Sequence, residues 1–321
     1  MTDFAHELAP LPEAFTARLE QIIPAEYLSG VLAGFAAVKP VDLRVNTLVA
    51  TVADVQAELR AAGFTLTPLP WYDAAFTVPA AERDALVNAD AFNAGRIYVQ
   101  DRSSMLAALA LDAQPDETVL DLAAAPGGKT LLLAACMQGT GTLVAVESVK
   151  ARFFRMRANL AQHGAPQVET YLMDGRAAGR RWPQRFDRVL LDAPCSSEAR
   201  FTRHDPKSWA HWSPRKIKEA ARKQKPLLGA AIKALRPGGV LLYCTCSFAP
   251  EENEVVVNSQ LRYFADEVEI APLTLPVPNT MPGLTEWRGK ALNPQLARSV
   301  RLLPTEEMDG FFMCKLVKTS R

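Results

Sequence analysis

A chain of 321 residues, 49% hydrophobic and 22% charged, carries enough apolar material for a large core and is long enough for two domains. A net charge of +1 excludes a polycation, so any affinity for nucleic acid must come from a local patch. Five cysteines (Cys136, Cys195, Cys244, Cys246, Cys314) are odd in number and include no C-x-x-C pair. That argues against a disulfide framework and, with only four histidines, against a metal site. The opening MTDFAHELAPLPEAF has no basic stretch leading into an apolar one, and no apolar run nears the roughly 20 residues that span a bilayer. The expected setting is cytoplasmic, with thiols reduced.

Two helices are predicted first, over LPEAFTARLEQII and PAEYLSGVLAGFAAV. The strand-like VDLRVNTLVA follows, then a helix with Thr51 as N-cap and Gly63 as its stop. FTLTPL and AAFTVP read as short strands, so residues 1–95 form a small α+β domain. From residue 96 to 321 the texture changes. VLDLA (119–123), TLVAVE (142–147), VETYLM (168–173), DRVLLDA (187–193) and GVLLYCT (239–245) are apolar on both faces and alternate with helical segments. Such a pattern indicates an α/β fold with a mostly parallel sheet covered on both sides. GFFMCKLV (310–317) has no helix before it and suits an antiparallel strand.

Ligands of such sheets bind at the carboxyl ends of the strands. There the first strand runs into DLAAAPGGKT, where Gly127 and Gly128 allow close backbone approach and a helix N-terminus follows. Residues 123–130 nearly match a phosphate-binding loop, with Lys129 and Thr130 in place, so a nucleotide triphosphatase is the rival reading. Ala123 stands where that loop needs its first glycine. Glu147, at the end of the second strand, can accept from both ribose hydroxyls of an adenosine, or can merely cap the helix near Val149. Asp174 after the third strand could contact the adenine.

DLAAAPGGKT, LLDAPCSS and LLYCTCSFAPEENE, in this order, resemble the Nop/Sun family (RsmB/Nop type) of RNA 5-methylcytosine methyltransferases. YVQDRSSM, LRVNTL and RLLPTEEMDGFFMCKL extend the likeness over residues 40–318. Ala123, where the family commonly has cysteine, and Cys244, where serine is usual, depart from it without removing a catalytic group. The resemblance implies a class I methyltransferase (Rossmann-like) fold with a seven-stranded sheet, and S-adenosylmethionine as methyl donor. Ala125, Pro126, Gly127, Gly128 and Lys129 would line the cofactor's methionine side, with Glu147 at its ribose and Asp174 at the adenine; Ala123, Ala124 and Arg152 would also bind the cofactor. Asp192 would sit near the reaction centre, as a catalytic and cofactor-binding residue. Cys246 would be the nucleophile, and Cys195 would help the product leave. The implied substrate is RNA, ribosomal before transfer RNA, and the implied enzyme is a metal-free monomer.

Cytosine C5 is a poor nucleophile, and a thiolate added at C6 enriches it. The acids of PEENE read as the solvated first turn of a helix starting near Pro250, whose N-terminus could help that thiolate. Cys136 and Cys314 read as core. From Arg200 to Lys225 nine Lys/Arg face only Asp205 and Glu219, with Phe201, Trp209 and Trp212 between them. That composition suits RNA contact, through Arg200, Arg203, Lys207, Trp209 and Trp212. The N-terminal domain, through Arg44, would hold the RNA flank.

Overall fold

The computed structural model describes residues 8–319. Two helices, Glu13–Ile22 and Ala25–Ala36, each follow a proline whose missing N–H costs a helix start nothing. The helix Val52–Ala61 is capped as expected: Thr51 Oγ1 accepts the Asp54 N–H at 3.2 Å, and Gly63 takes a left-handed φ of 90°. Strands β1 (Val41–Val45), β2 (Thr67–Pro68), β3 (Ala75–Val78) and β4 (Ile97–Val99) form an antiparallel sheet in the order β2-β3-β1-β4. Strand β4 therefore carries the small sheet past residue 95.

The main sheet is built from β5 (Thr118–Asp121), β6 (Thr142–Glu147), β7 (Glu169–Leu172), β8 (Phe186–Asp192) and β9 (Leu235–Thr245), all parallel to their neighbours. Short strands β10 (Val268–Ile270) and β11 (Thr280–Pro282) follow. After a separate hairpin of β12 (Glu286–Trp287) and β13 (Lys290–Ala291) come β14 (Val300–Leu302) and β15 (Phe311–Lys318). Strand β15 runs antiparallel to β9, as its position without a preceding helix suggests. The order is β11-β14-β15-β9-β8-β5-β6-β7, with β10 pairing the far end of β15 at residues 316–318. The sheet thus has nine strands where seven are expected. The additional strands are three residues long, too short to show a period of two.

Alternation along the strands divides the core into two layers. Val119, Ala145, Leu190 and Leu242 pack towards Met105, Leu132 and the N-terminal Phe15. Leu120, Val144, Val189 and Leu241 pack towards Leu228, Ile232 and Val257 of the helices Pro214–Ala234 and Glu254–Tyr263. Among the described residues no helix is long and apolar enough to cross a membrane.

The acids of PEENE depart from expectation. The helix starts at Glu254, not near Pro250, and Glu252 and Glu254 are fully buried. Each has a specific partner, which is why burial is tolerated. Glu254 receives Arg301 Nε at 2.7 Å and Nη2 at 2.6 Å, and Arg301 Nη1 also donates to the Phe248 carbonyl at 2.9 Å. Replacing Arg301 with Leu leaves the Glu254 charge buried alone. Urea unfolding should then show a loss of about 3–5 kcal/mol, partly recovered by adding Glu254→Leu. An unchanged midpoint in the single variant would contradict the pair's role.

Candidate active site

The strand order reverses between β5 and β8, and the crevice opens at their carboxyl ends. The loop after β5 needs both of its glycines, for different reasons. Gly127 holds φ at +106°, where a side chain is strained. At Gly128 a Cβ would come within 2.8 Å of the Tyr98 ring, because β4 of the N-terminal sheet presses on the loop. Arg44 of β1 lies in this seam, fully buried, with Nε donating to Gln100 Oε1 at 3.0 Å and Nη2 to the Gly128 carbonyl at 3.1 Å. Burial lowers its pKa to about 10. Arg44 therefore does not meet an RNA flank from this position; it ties the N-terminal sheet to the glycine loop.

A cleft of about 780 Å³ runs along the crevice. Every residue expected at the cofactor lines it except Gly127, whose Cα faces Met156 and Leu160 instead. Glu147 has one engaged oxygen and one unengaged oxygen. Its Oε1 accepts the Val149 N–H at 2.8 Å, capping the next helix. Its Oε2 is buried with no hydrogen-bond donor, 3.4 Å from Arg152 Nη1. Asp121, at the end of β5, repeats the arrangement: Oδ2 accepts from Thr130 Oγ1 at 2.7 Å while Oδ1 has no partner. Two buried carboxylate oxygens lining one cleft call for a ligand rich in donors. Asp174 is more exposed and is gripped by Arg176, whose hydrogen bonds hold its carboxyl below the usual range.

Lys129 Nζ donates to Asp192 Oδ2 at 2.7 Å. The ammonium is thus engaged by a carboxylate, and Ala123 leaves the phosphate-binding loop without its first glycine.

Strand register brings the cysteines together. Asp192 of β8 pairs with Cys244 of β9, so the segments that follow leave the sheet side by side. The Cys195 and Cys246 sulfurs stand 3.2 Å apart at the cleft. A hydrogen bond joins the two thiols, in which either sulfur can be the donor, and the Arg200 guanidinium lies close by. Together they lower the Cys246 pKa below that of an ordinary thiol despite burial. Cys195 is held well above the ordinary value by the same hydrogen bond and by burial. The helix terminus expected to help the thiolate does not start until Glu254. Cys244 is buried behind, with Sγ 3.9 Å from Asp192 Oδ1. Cys314 is core, while Cys136 is only half-buried.

The tryptophans beyond Cys195 pack inward and are partly buried. Trp212 donates its indole N–H to Glu198 at 2.9 Å and packs edge-on against Phe15 and Phe201; Trp209 tilts against the buried Phe201. Arg203 is directed to the carbonyls of Ala9 and Leu8, so it anchors the N-terminal segment. Lys207 is exposed, away from the cleft, and of these expected RNA contacts only Arg200 lines it.

Residues 108–317 match the family of 16S rRNA methyltransferases RsmB/F, and residues 11–102 match the N-terminal domain of 16S rRNA methyltransferase RsmF. The chain belongs to the RsmB/F methyltransferase family. It is 36% identical over 313 residues to ribosomal RNA small subunit methyltransferase F of Escherichia coli strain SMS-3-5, covering 96% of this chain. The chain spans 63% of that relative's length. A methyltransferase homologue protein from Pyrococcus horikoshii is 31% identical with a TM-score of 0.78, covering 96% of this chain and all of the other. NSun6 from the same organism shares the fold at 22% identity and a TM-score of 0.81, covering 98% of this chain and all of the other.

Within this RsmB/F chain, the sequence pattern passed over Asp121, Glu198 and Glu252. Asp121 carried a usable signal, an acid ending an apolar strand just before the glycine turn. Burial pushes the Asp121 carboxyl up to about 7, against the pull of Thr130 and Lys129. In the unfolded chain an aspartate loses its proton near 3.9. Stability from this site is therefore complete below about pH 4 and is lost as pH rises towards about 7. Thermal melts should show Asp121→Asn gaining on the parent by several degrees between about pH 5 and about pH 8. A constant difference across that range would refute the buried proton.

Proposed function

We propose that the chain is an RNA cytosine-C5 methyltransferase that uses S-adenosylmethionine and Cys246, with ribosomal RNA as substrate. The observation that carries this reading is the thiol pair in the cleft, where the Cys195 and Cys246 sulfurs stand 3.2 Å apart. Two thiols within hydrogen-bonding reach suit one nucleophile and one proton-holding partner.

The cleft's unpartnered oxygens fit the cofactor. Glu147 Oε2 would accept from the ribose hydroxyls and Asp121 Oδ1 from the methionine ammonium, while the 123–128 loop gives close backbone approach. Arg152 and Asp174 border the same end of the cleft. S-adenosylmethionine, when bound, supplies an electrophilic methyl group. Cys246 Sγ adds to C6 of the cytosine, which breaks the C5–C6 double bond and leaves electron density on C5. Asp192, held in place by Lys129, accepts from the exocyclic amine or, protonated, donates to N3. Once C5 is methylated, a base takes the C5 proton, its bonding electrons re-form the C5–C6 double bond, and Cys246 leaves as thiolate. Cys195, 3.2 Å away, assists that release by hydrogen-bonding the departing sulfur.

Arg200 and Lys223 at the cleft edge would meet the RNA backbone around an unstacked target base. The N-terminal unit, residues 1–95 extended by β4, would guide the flank by shape more than by Arg44. Relatives named for ribosomal RNA favour that substrate over transfer RNA. We also read the enzyme as a cytoplasmic monomer working without metal.

Cys246→Ala should abolish methyl transfer from labelled S-adenosylmethionine to RNA; full activity would end the mechanism. Cys195→Ala should accumulate a covalent protein–RNA adduct on a denaturing gel, and normal turnover without adduct would remove its release role. Cys244→Ser should keep activity, and its loss in a folded variant would reopen the choice of nucleophile. Bisulfite sequencing of RNA from a deletion strain should show one cytosine unmethylated in ribosomal RNA; a lost site in transfer RNA would favour the other substrate.

A further inference from the structure

Ser196 follows Cys195 in the chain and Ser247 follows Cys246, and both serines meet at one carboxylate. Glu252 Oε2 accepts the Ser196 backbone N–H at 2.9 Å, and Oε1 accepts the Ser247 hydroxyl at 2.9 Å. The Ser196 hydroxyl donates to the same Oε1, and the two hydroxyl oxygens are 3.0 Å apart. Gln224 reaches in from the helix Pro214–Ala234, its Nε2 donating to Glu252 Oε2 and to the Pro194 carbonyl, each at 3.0 Å. Glu252 and Gln224 are 0% exposed, so water does not replace these bonds if they are lost.

Glu198 secures the same two segments at a second point. It accepts the N–H groups of Phe248 and Ala249 at 2.9 Å each and the Ser247 hydroxyl at 3.1 Å. Between the two anchored positions Ser197 sits at φ +59°, a left-handed conformation that L side chains disfavour. Surrounding contacts must hold it there.

We propose that Glu252 is the positioning residue that sets the distance between Cys195 and Cys246. It binds the residue after each cysteine, so the two sulfurs are joined through two short, buried paths. Without this acceptor the segments part, and the hydrogen bond between Cys195 and Cys246 is lost. The consequence for the thiols rests on geometry alone. The consequence for turnover rests on the methyl-transfer reading given above.

The test is alkylation of each cysteine by iodoacetamide across pH, resolved by peptide mass spectrometry, in the full chain and in Glu252→Ala. In the parent chain Cys246 should titrate below an ordinary thiol and Cys195 above it. In Glu252→Ala the two should converge, Cys246 rising by about one pH unit, a tenfold loss of thiolate at fixed pH. Glu252→Gln, which keeps one acceptor oxygen, should fall between. With RNA and S-adenosylmethionine, Glu252→Ala should lower kcat and raise the adduct fraction while KM for S-adenosylmethionine stays at the parent value. Unshifted thiol titrations in folded Glu252→Ala overturn the proposal. If that variant does not fold, Glu252→Gln, which replaces one acceptor oxygen with a donor, decides in the same assay: partial convergence supports the clamp and parent-like titrations overturn it. Methyl transfer surviving in Cys246→Ala would instead overturn the reaction and leave the thiol result standing, so the two readings fail separately.

Discussion

The reaction centre depends on the register between two parallel strands. With Asp192 of β8 beside Cys244 of β9, the segments leaving the sheet are adjacent from their first residue. Only short extensions are then needed to reach the cleft with Cys195 and Cys246. A slip of one residue would turn every side chain of β9 to the other layer of the core. The apolar alternation that divides Leu241 and Tyr243 from Leu242 and Cys244 therefore guards the chemistry as well as the packing.

Burial does the electrostatic tuning around this register. Asp121 and Glu252 are both pushed up to about 7, yet they serve different ends. Asp121 keeps an oxygen open towards the cleft, whereas the Glu252 oxygens are both occupied by donors from the cysteine segments. The thiols are tuned by each other and by Arg200, and no helix terminus contributes. A pair of identical groups becomes unequal because their hydrogen bond lowers the pKa of one and raises that of the other.

Much of this was legible before any coordinates. The doubly covered strands announced the parallel sheet, and the small-residue turn after VLDLA announced the ligand loop. Cys195 and Cys246 stood out because each ends an apolar strand. What stayed hidden was whatever depends on partners remote in sequence. PEENE has the composition of a solvated helix start, and only Ser196, Gln224 and Arg301 show why two of its acids are inside. Trp209 and Trp212 lie among basic residues, yet Phe15, nearly two hundred positions earlier, draws Trp212 into the core. Arg44 has the look of a phosphate contact until β4 and the glycine loop close over it. Strands of three residues are below the length at which periodicity says anything.

The seam at Gly128 has one more consequence. Tyr98 and Arg44 occupy the space a side chain at residue 128 would need, and Arg44 keeps a buried nitrogen, Nη1, that finds no acceptor. Partial opening of the seam would strip the Gly128 carbonyl of its donor. The small sheet and the large one are thus joined at the ligand loop itself. A ligand seated on that loop would therefore touch the same segment that both units share.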